Sequence, residues 1–336
     1  MRLAHAHFHG PISYTRSLAL QNALLERHFR HKDLLRGRAT KLEDDDETPG
    51  IARHHSSRPP SSEEEKPTDG GSIPPMSSSP ECGSTISPPD PTLITFSTTP
   101  TYTVGRRHLQ TNPISEDQQA FLSASGAATF HASPRGGLLT YHAPGQLTGY
   151  VVGDLRRLGI TPRCWVRLLE NSVMRTCAPF GVGNTTRTDD PGVWIKGSDR
   201  KICAIGVQVS KGVTSHGVGL NVFDHAIPVE AREKYKFTRE QQASPSSDSA
   251  TRGYLSWGFS RIVACGLEGK SVTWLTREQS ETSPLSRFDD DGVGLPDLMS
   301  SVGDVFAKEI AKSINEMSMP GKEKIQGVYR LDELAT

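Results

Sequence analysis

Apolar and polar residues alternate from the start of the chain. LAHAHFHG (3–10) places His5, His7 and His9 on one side and small or aromatic residues on the other, the period of a β-strand. Three histidines on one face invite a metal site. No cysteine or carboxylate cluster accompanies them in the sequence, so the stretch predicts a half-exposed edge strand. The period then changes. In SYTRSLALQNALLERHFRHK (13–32), Leu18, Leu25 and Phe29 recur at helical spacing, with Ser13 placed to cap the N-terminus after Pro11. PTLITFSTTPTYTVGRRH (91–108) predicts two strands broken at Pro100, and GLLTYHAPGQLTGYVVGDL (137–155) a strand, a turn at Pro144-Gly145 and a second strand. TPRCWVRLLENSVMRTC (161–177) predicts a helix that buries Trp165, Leu168, Leu169 and Val173, with Cys164 and Cys177 as small buried residues near its ends. GVWIKGSDRKICAIGVQVS (192–210) predicts a hairpin turning near Gly197-Ser198-Asp199. A packing helix over 296–316 carries Leu298, Val302, Phe306 and Ile310 on one face. Strands and helices mix without internal repeats, which predicts one α+β (mixed α/β) domain over 1–336.

Two stretches lack any period. Residues 39–91 are rich in Ser, Pro and Gly with acidic blocks, and 227–251 hold most of EQQASPSSDSATRG (240–253). Such segments bury too little apolar surface to offset their ordering entropy, and both are expected to be disordered insertions. They fit the hydrophobic share of 35%, low for a fully folded chain of 336 residues. The formal net charge of +0 gives no sign of a nucleic-acid or membrane-surface partner, and no apolar run is long enough to span a bilayer. The five cysteines (Cys82, Cys164, Cys177, Cys203, Cys265) form no C-x-x-C pair, a pattern that fits a reducing compartment. Residues 1–38 carry several arginines and few acids, as organelle transit peptides do, although the same residues also read as structure.

The stretch ACGLEGKSVTW (264–274) carries the chemical question. Its Gly269-Lys270-Ser271 is the end of a phosphate-binding loop, but Ala264 stands where that loop needs its first glycine. The following SVTWL favours a strand over the helix whose N-terminal amides would hold phosphate. Gly269 reads as a hairpin turn residue. The head of the stretch, Cys265-Gly266, follows FSRIV, read as a strand end entering a turn. A thiol there needs a nearby cation to become thiolate at neutral pH, because a free cysteine titrates near 8.5. These residues alone leave Cys265 open between a nucleophile and a buried packing cysteine.

PRGGLLTYHAPGQLTGY (134–150), GVWIKGSDRKICAIGVQVS (192–210), TSHGVGLNV (214–222) and FSRIVACGLEG (259–269) occur in this order and resemble the successive motifs of the lipoyl(octanoyl) transferases. YTRSLALQNALLE and TPTYTVGRRH resemble that family's weaker N-terminal segments. The resemblance covers nearly all the chain except the two polar stretches and the far C-terminus. It implies the biotin/lipoate ligase-like fold, a mixed sheet flanked by helices. It implies transfer of an octanoyl group from octanoyl-acyl carrier protein to a lysine of lipoyl domains, in 2-oxo acid dehydrogenase complexes and the glycine cleavage H protein. The family's acyl-thioester cysteine falls on Cys265 and its pKa-lowering lysine on Lys201. Its substrate-contact segments fall on Arg135, Gly136, Gly137, Leu138, Leu139, Thr140, Tyr141 and His142, on Ala204, Ile205 and Gly206, and on Gly217, Val218 and Gly219. His216 could orient substrate or serve as an ordinary core histidine. Ala143 and Ala264 depart from the family's usual Gly and Pro, and the hairpin before Lys201 is slightly longer than usual.

The physical chemistry agrees. Acyl transfer between thioesters needs no ATP, and the onward step to an amide is downhill. No metal, cofactor, nucleic-acid or membrane partner is expected, and the chain is expected to act as a monomer. The pathway points to the mitochondrion, or to the cytoplasm in a bacterium. Cys203 is the rival thiol: along a regular strand it shares a face with Lys201, roughly 6.5–7 Å away, and the same face continues as Ile205, Val207 and Val209, so it reads as packing. Two other functions remain in view. An ATP-dependent lipoate or biotin ligase would not need the thiol, and a carrier-binding module would not need either residue.

Overall fold

Strand β1 (Leu3–Ile12) lies inside a sheet, between β2 (Thr92–Thr98) and the short β12 (Val328–Arg330), and runs parallel to both. The protein, seen here as a computed structural model, is described over residues 1–44, 87–248, 250–262, 269–279 and 295–331. It divides into two units, Met1–Phe29 with Pro89–Thr336, and Arg30–Pro88. In the smaller unit the N-terminal helix continues as far as Asp44, well beyond residue 32 and into the stretch expected to be irregular. Cys82 lies outside the described residues.

The remaining strands of the larger unit are β3 (Thr101–Gly105), β4 (Thr129–Ser133), β5 (Thr140–His142), β6 (Gln146–Asp154), β7 (Thr185–Thr186), β8 (Gly192–Ile195), β9 (Arg200–Ser210), β10 (Val213–Asn221) and β11 (Ser271–Val272). Nine of the described strands form one mixed sheet in the order β12-β1-β2-β6-β10-β9-β8-β7, with β11 pairing β9 in parallel. A second sheet holds β4-β3-β5.

Two layers of helix cover the large sheet. The helix Pro162–Cys177 starts with Pro at its first position and Thr161 as N-cap. Its Trp165, Leu168, Leu169 and Val173 join Leu298, Val302, Phe306 and Ile310 of the helix Leu295–Met317 in one core, beneath Leu147, Val151, Val218 and Leu220 of the sheet. On the opposite face, Leu20 and Leu24 of the N-terminal helix pack on Ile94, Phe96, Tyr150 and Val152. The Ser13 hydroxyl accepts from the Arg16 amide, as expected of a cap.

A third cluster, rich in aromatics, includes Tyr102, Tyr141, Tyr235, Trp257, Phe259 and Trp274. It overturns three expectations. The stretch 227–251 is packed where it is described: Ile227, Tyr235, Gln241 and Ser246 are buried, and Thr238 begins a short helix with a capping box. FSRIV, expected to end a strand, opens instead on Phe259, the last residue of the short helix YLSWGF (254–259), and goes on as turn through Ile262. Gly269, at φ 75°, leads into β11, which pairs with β9 in parallel instead of closing a hairpin. Two further corrections concern single residues. Cys164 is exposed while Cys177 is buried. His5 is only 1% exposed, because β12 and β2 flank it and its imidazole meets the Thr95 hydroxyl at 2.8 Å and the Asp304 carboxylate at 3.4 Å. Among the described residues, no His, Cys, Asp and Glu side chains group to hold a metal ion.

Candidate active site

The site begins as a bare strip of sheet. Where β9 and β10 run antiparallel, Ala204 pairs with Gly219 and Gly206 with Gly217. With almost no side chain on these opposed positions, the sheet surface sinks into an open pocket of about 770 Å³, counting the space continuous with solvent. Each glycine also allows a close approach. A Cβ on Gly217 would lie 2.2 Å from the Gly149 carbonyl, and one on Gly206 would lie 2.9 Å from Arg135 Cδ. Leu138 adds apolar wall, while the Ile205 and Val218 side chains pack into the core on the other face of the sheet.

Lys201 stands at the end of this trough where β9 begins. It is 5% exposed, its Nζ donates to the Pro191 carbonyl at 3.3 Å, and the ammonium lies 4.5 Å from the Trp194 ring centroid. Its stem crosses Gly192, where a Cβ would come within 3.2 Å of Lys201 Cε. Lys270 reaches the same indole from 4.9 Å and pairs with Asp190 at 2.7 Å. That pairing holds the Asp190 carboxyl below the usual carboxylate range.

A register shift in β9 separates Lys201 from Cys203. Val193 pairs with Cys203 but Trp194 with Lys201, so an extra residue bulges at Ile202 and the alternation reverses across it. Lys201, Ala204 and Gly206 therefore line the pocket, whereas Cys203 belongs to the core against the helix Pro162–Cys177. The two side chains do not share a face as a regular strand would have them. Burial, with Cys177 adding to it, pushes the Cys203 thiol far above its ordinary range, and Lys201 offsets this only in part. Cys203 is packing.

Polar groups close the other walls. The His142 Nδ1–H donates to Gln146 Oε1 at 2.6 Å, Gln146 donates to Asn221 Oδ1 at 2.8 Å, and Asn221 donates to the Thr273 carbonyl at 2.9 Å. Thr273 in turn donates its amide to the Lys201 carbonyl at 3.0 Å. Burial, reinforced by the Arg135 charge, lowers the His142 pKa to about 4, so the ring is neutral at pH 7. Arg135 binds the carbonyls of Thr103, Gly136 and Leu138 and fixes the loop before β5. Alternation along β5 sends Thr140 and His142 to the pocket and Tyr141 into the aromatic core, where its ring fills the space that a Cβ on Gly258 would take.

Asp224 organises the approach to the remaining candidate. Its carboxylate accepts from the amides of Gly253, Leu255 and Ser256 and from the hydroxyls of Thr251 and Ser256, at 2.6–3.1 Å. The chain leaves β10 after Asn221, passes Asp224, makes the packed excursion and returns to the same carboxylate, which caps the helix Tyr254–Phe259. Cys265 lies outside the described residues, in the six-residue segment 263–268. Both flanks of that segment are described, and Phe259 before it and Val272 after it border a small cavity with Lys201, Thr140 and Asn221.

Of the residues expected to bind substrate, Arg135, Gly137, Leu138, Thr140, His142, Ala204, Ile205, Gly206, Gly217, Val218 and Gly219 line the pocket, as does His216. Gly136, Leu139 and Tyr141 do not. The Gly136 amide donates to the Val207 carbonyl, and Leu139 and Tyr141 pack in the aromatic core. Tyr150, Asp190 and Pro191 line the pocket without having been singled out. Tyr150 sits in the GQLTGY run, and its alternation with Val151 was the signal available for it.

An apolar trough with one ammonium at its end suits a fatty-acyl group delivered by its activated carbonyl. Residues 82–240 match the lipoyl protein ligase A/B catalytic domain family. The mitochondrial octanoyl-acyl-carrier-protein:protein N-octanoyltransferase LIPT2 of Danio rerio is 35% identical over 193 residues, which cover 57% of this chain and 70% of that protein. A Drosophila melanogaster relative is 35% identical over 186 residues, 55% of this chain and 64% of that protein, so the chain spans just under two thirds of its length. Among solved structures, P. falciparum LipL1 in complex with lipoate aligns with a TM-score of 0.45 and 10% identity, over 99% of this chain and 66% of that one. The chain belongs to the octanoyltransferase family.

Proposed function

We propose that this protein transfers an octanoyl group from octanoyl-acyl carrier protein to a lysine of a lipoyl domain, through a thioester on Cys265. The observation that carries this reading is the glycine-floored apolar trough ending at the Lys201 ammonium. The Cys265 thiolate adds to the carrier thioester carbonyl, the tetrahedral adduct collapses, and the carrier thiol leaves with a proton. The acceptor amine then adds to the acyl-enzyme, gives up a proton and displaces the Cys265 thiolate, leaving an amide. Lys201 favours the thiolate and carries the proton between steps. The remaining pocket residues bind the acyl chain and the end of the carrier's arm. The acceptors are lipoyl domains of 2-oxo acid dehydrogenase complexes and the glycine cleavage H protein, the active form is a monomer, and the compartment is the mitochondrion, as in the name of the zebrafish relative.

The test is incubation with octanoyl-carrier and no ATP, followed by mass spectrometry. A hydroxylamine-labile octanoyl adduct is expected on the wild type and not on Cys265→Ser. An adduct undiminished in Cys265→Ser rejects Cys265 as nucleophile. Acylation of a lipoyl domain only when ATP and free acid are supplied assigns the chain to ligase chemistry instead.

A further inference from the structure

We infer that His216, held in place by Gln21, is the end wall of the trough and sets the length of acyl chain the enzyme accepts, an inference that rests on the octanoyl reading above. From the Lys201 end, the pairs along β9 and β10 run Ala204–Gly219, Gly206–Gly217 and then Val207–His216. The bare floor therefore extends three residues, about 10 Å at the strand rise, before it meets His216. That is the scale of a medium-length acyl chain.

Regular alternation would turn His216 to the opposite face, where Val218 and Leu220 are buried. It does not turn that way. His216 has φ 59°, an uncommon conformation for a residue with a Cβ, and its imidazole stands on the pocket side, edge-to-face with Tyr150 at 5.1 Å. Gln21 of the N-terminal helix maintains the arrangement. Its Oε1 accepts from the His216 amide at 2.6 Å, and its NH2 lies 3.3 Å from His216 Nε2. A carboxamide nitrogen only donates, so Nε2 is the acceptor and Nδ1 carries the proton. The ring is 1% exposed and neutral, and Nδ1 has no hydrogen-bond partner among the described residues. A strained, buried histidine with an orphan nitrogen serves stability poorly, and such strain persists at functional sites. Tyr150, opposite Gly217 on β6, completes the wall.

The experiment compares hexanoyl-, octanoyl-, decanoyl- and dodecanoyl-carrier as donors and reads kcat/KM for adduct formation by mass spectrometry. His216→Gly suits φ 59° and removes the ring. It is expected to raise dodecanoyl relative to octanoyl by about tenfold or more, the discrimination that a misfit of one or a few methylenes in an apolar pocket provides. Gln21→Ala keeps the ring but frees it, and is expected to shift the same ratio by a smaller factor. It also keeps the inference testable if the glycine variant melts early. A ratio unchanged in a folded variant overturns the end wall even where overall rates fall, since a purely structural role lowers all four donors alike. A wild type that takes up none of the four acyl groups refutes the octanoyl reading, and the end wall with it.

Discussion

Gly192 is where a single atom would disturb the chemistry. It pairs with Ala204 at φ 137°, and an added Cβ would lie 2.6 Å from the Cys203 carbonyl and 3.2 Å from the Lys201 stem. Gly192→Ala is therefore expected to cost about 1–3 kcal/mol in urea unfolding and to displace the ammonium. The pH at which the reactive thiol is alkylated should rise, as it should in Lys201→Ala. An unchanged alkylation profile in Lys201→Ala would remove that lysine from its role. Cys203 makes the opposite case. Cys203→Ala should leave octanoyl-adduct formation intact in the mass spectrum while lowering stability by about 1 kcal/mol, since it trims a buried side chain. The alternation of KICAIGV put Lys201 and Cys203 on one face, and only the bulge at Ile202 separates them. A bulge arises from how two strands meet, so the residues of β9 alone did not announce it.

At the scale of elements, local patterning was a good guide wherever an element buries its own apolar stripe. The helix Pro162–Cys177 and the β5–β6 turn formed as their residues predict. It failed where a distant partner supplies what the segment lacks. FSRIV reads as a strand end, yet its Phe259 closes the helix YLSWGF, because Asp224, thirty residues before Tyr254, satisfies the amides at the helix N-terminus and Tyr141 packs against its Gly258. The same carboxylate explains why a polar stretch is packed: both ends of the excursion are held at one point. Asp224→Asn keeps a similar shape but weakens the charge-assisted bonds and leaves a donor facing donors. It is expected to lower stability by about 2–4 kcal/mol, read in urea unfolding. Octanoyl-adduct formation should slow with it, because the capped helix leads directly to the segment bearing Cys265. A folded Asp224→Asn protein with wild-type acylation rate would show that the staple serves the excursion alone.

Over the whole molecule, the histidines that the motifs picked out for chemistry also govern stability. Burial lowers His5, His7 and His142 to about 4 and His216 to about 3, the nearby Asp304 carboxylate only partly opposing it at His5. In the unfolded chain each titrates near 6.5. Between those limits the unfolded state binds more protons than the folded one, so the stabilisation is fully present above pH 6.5 and is lost as pH falls toward 4. Glu170 works the other way, since burial raises its carboxyl, but one group of that sign does not cancel four. The urea midpoint should therefore hold steady from pH 8 to 7 and drop through pH 6 and 5. His5→Gln, which lies away from the trough and can still bond Thr95, should flatten part of that slope. An equal slope in the variant would mean that His5 is not among the groups taking up protons on unfolding.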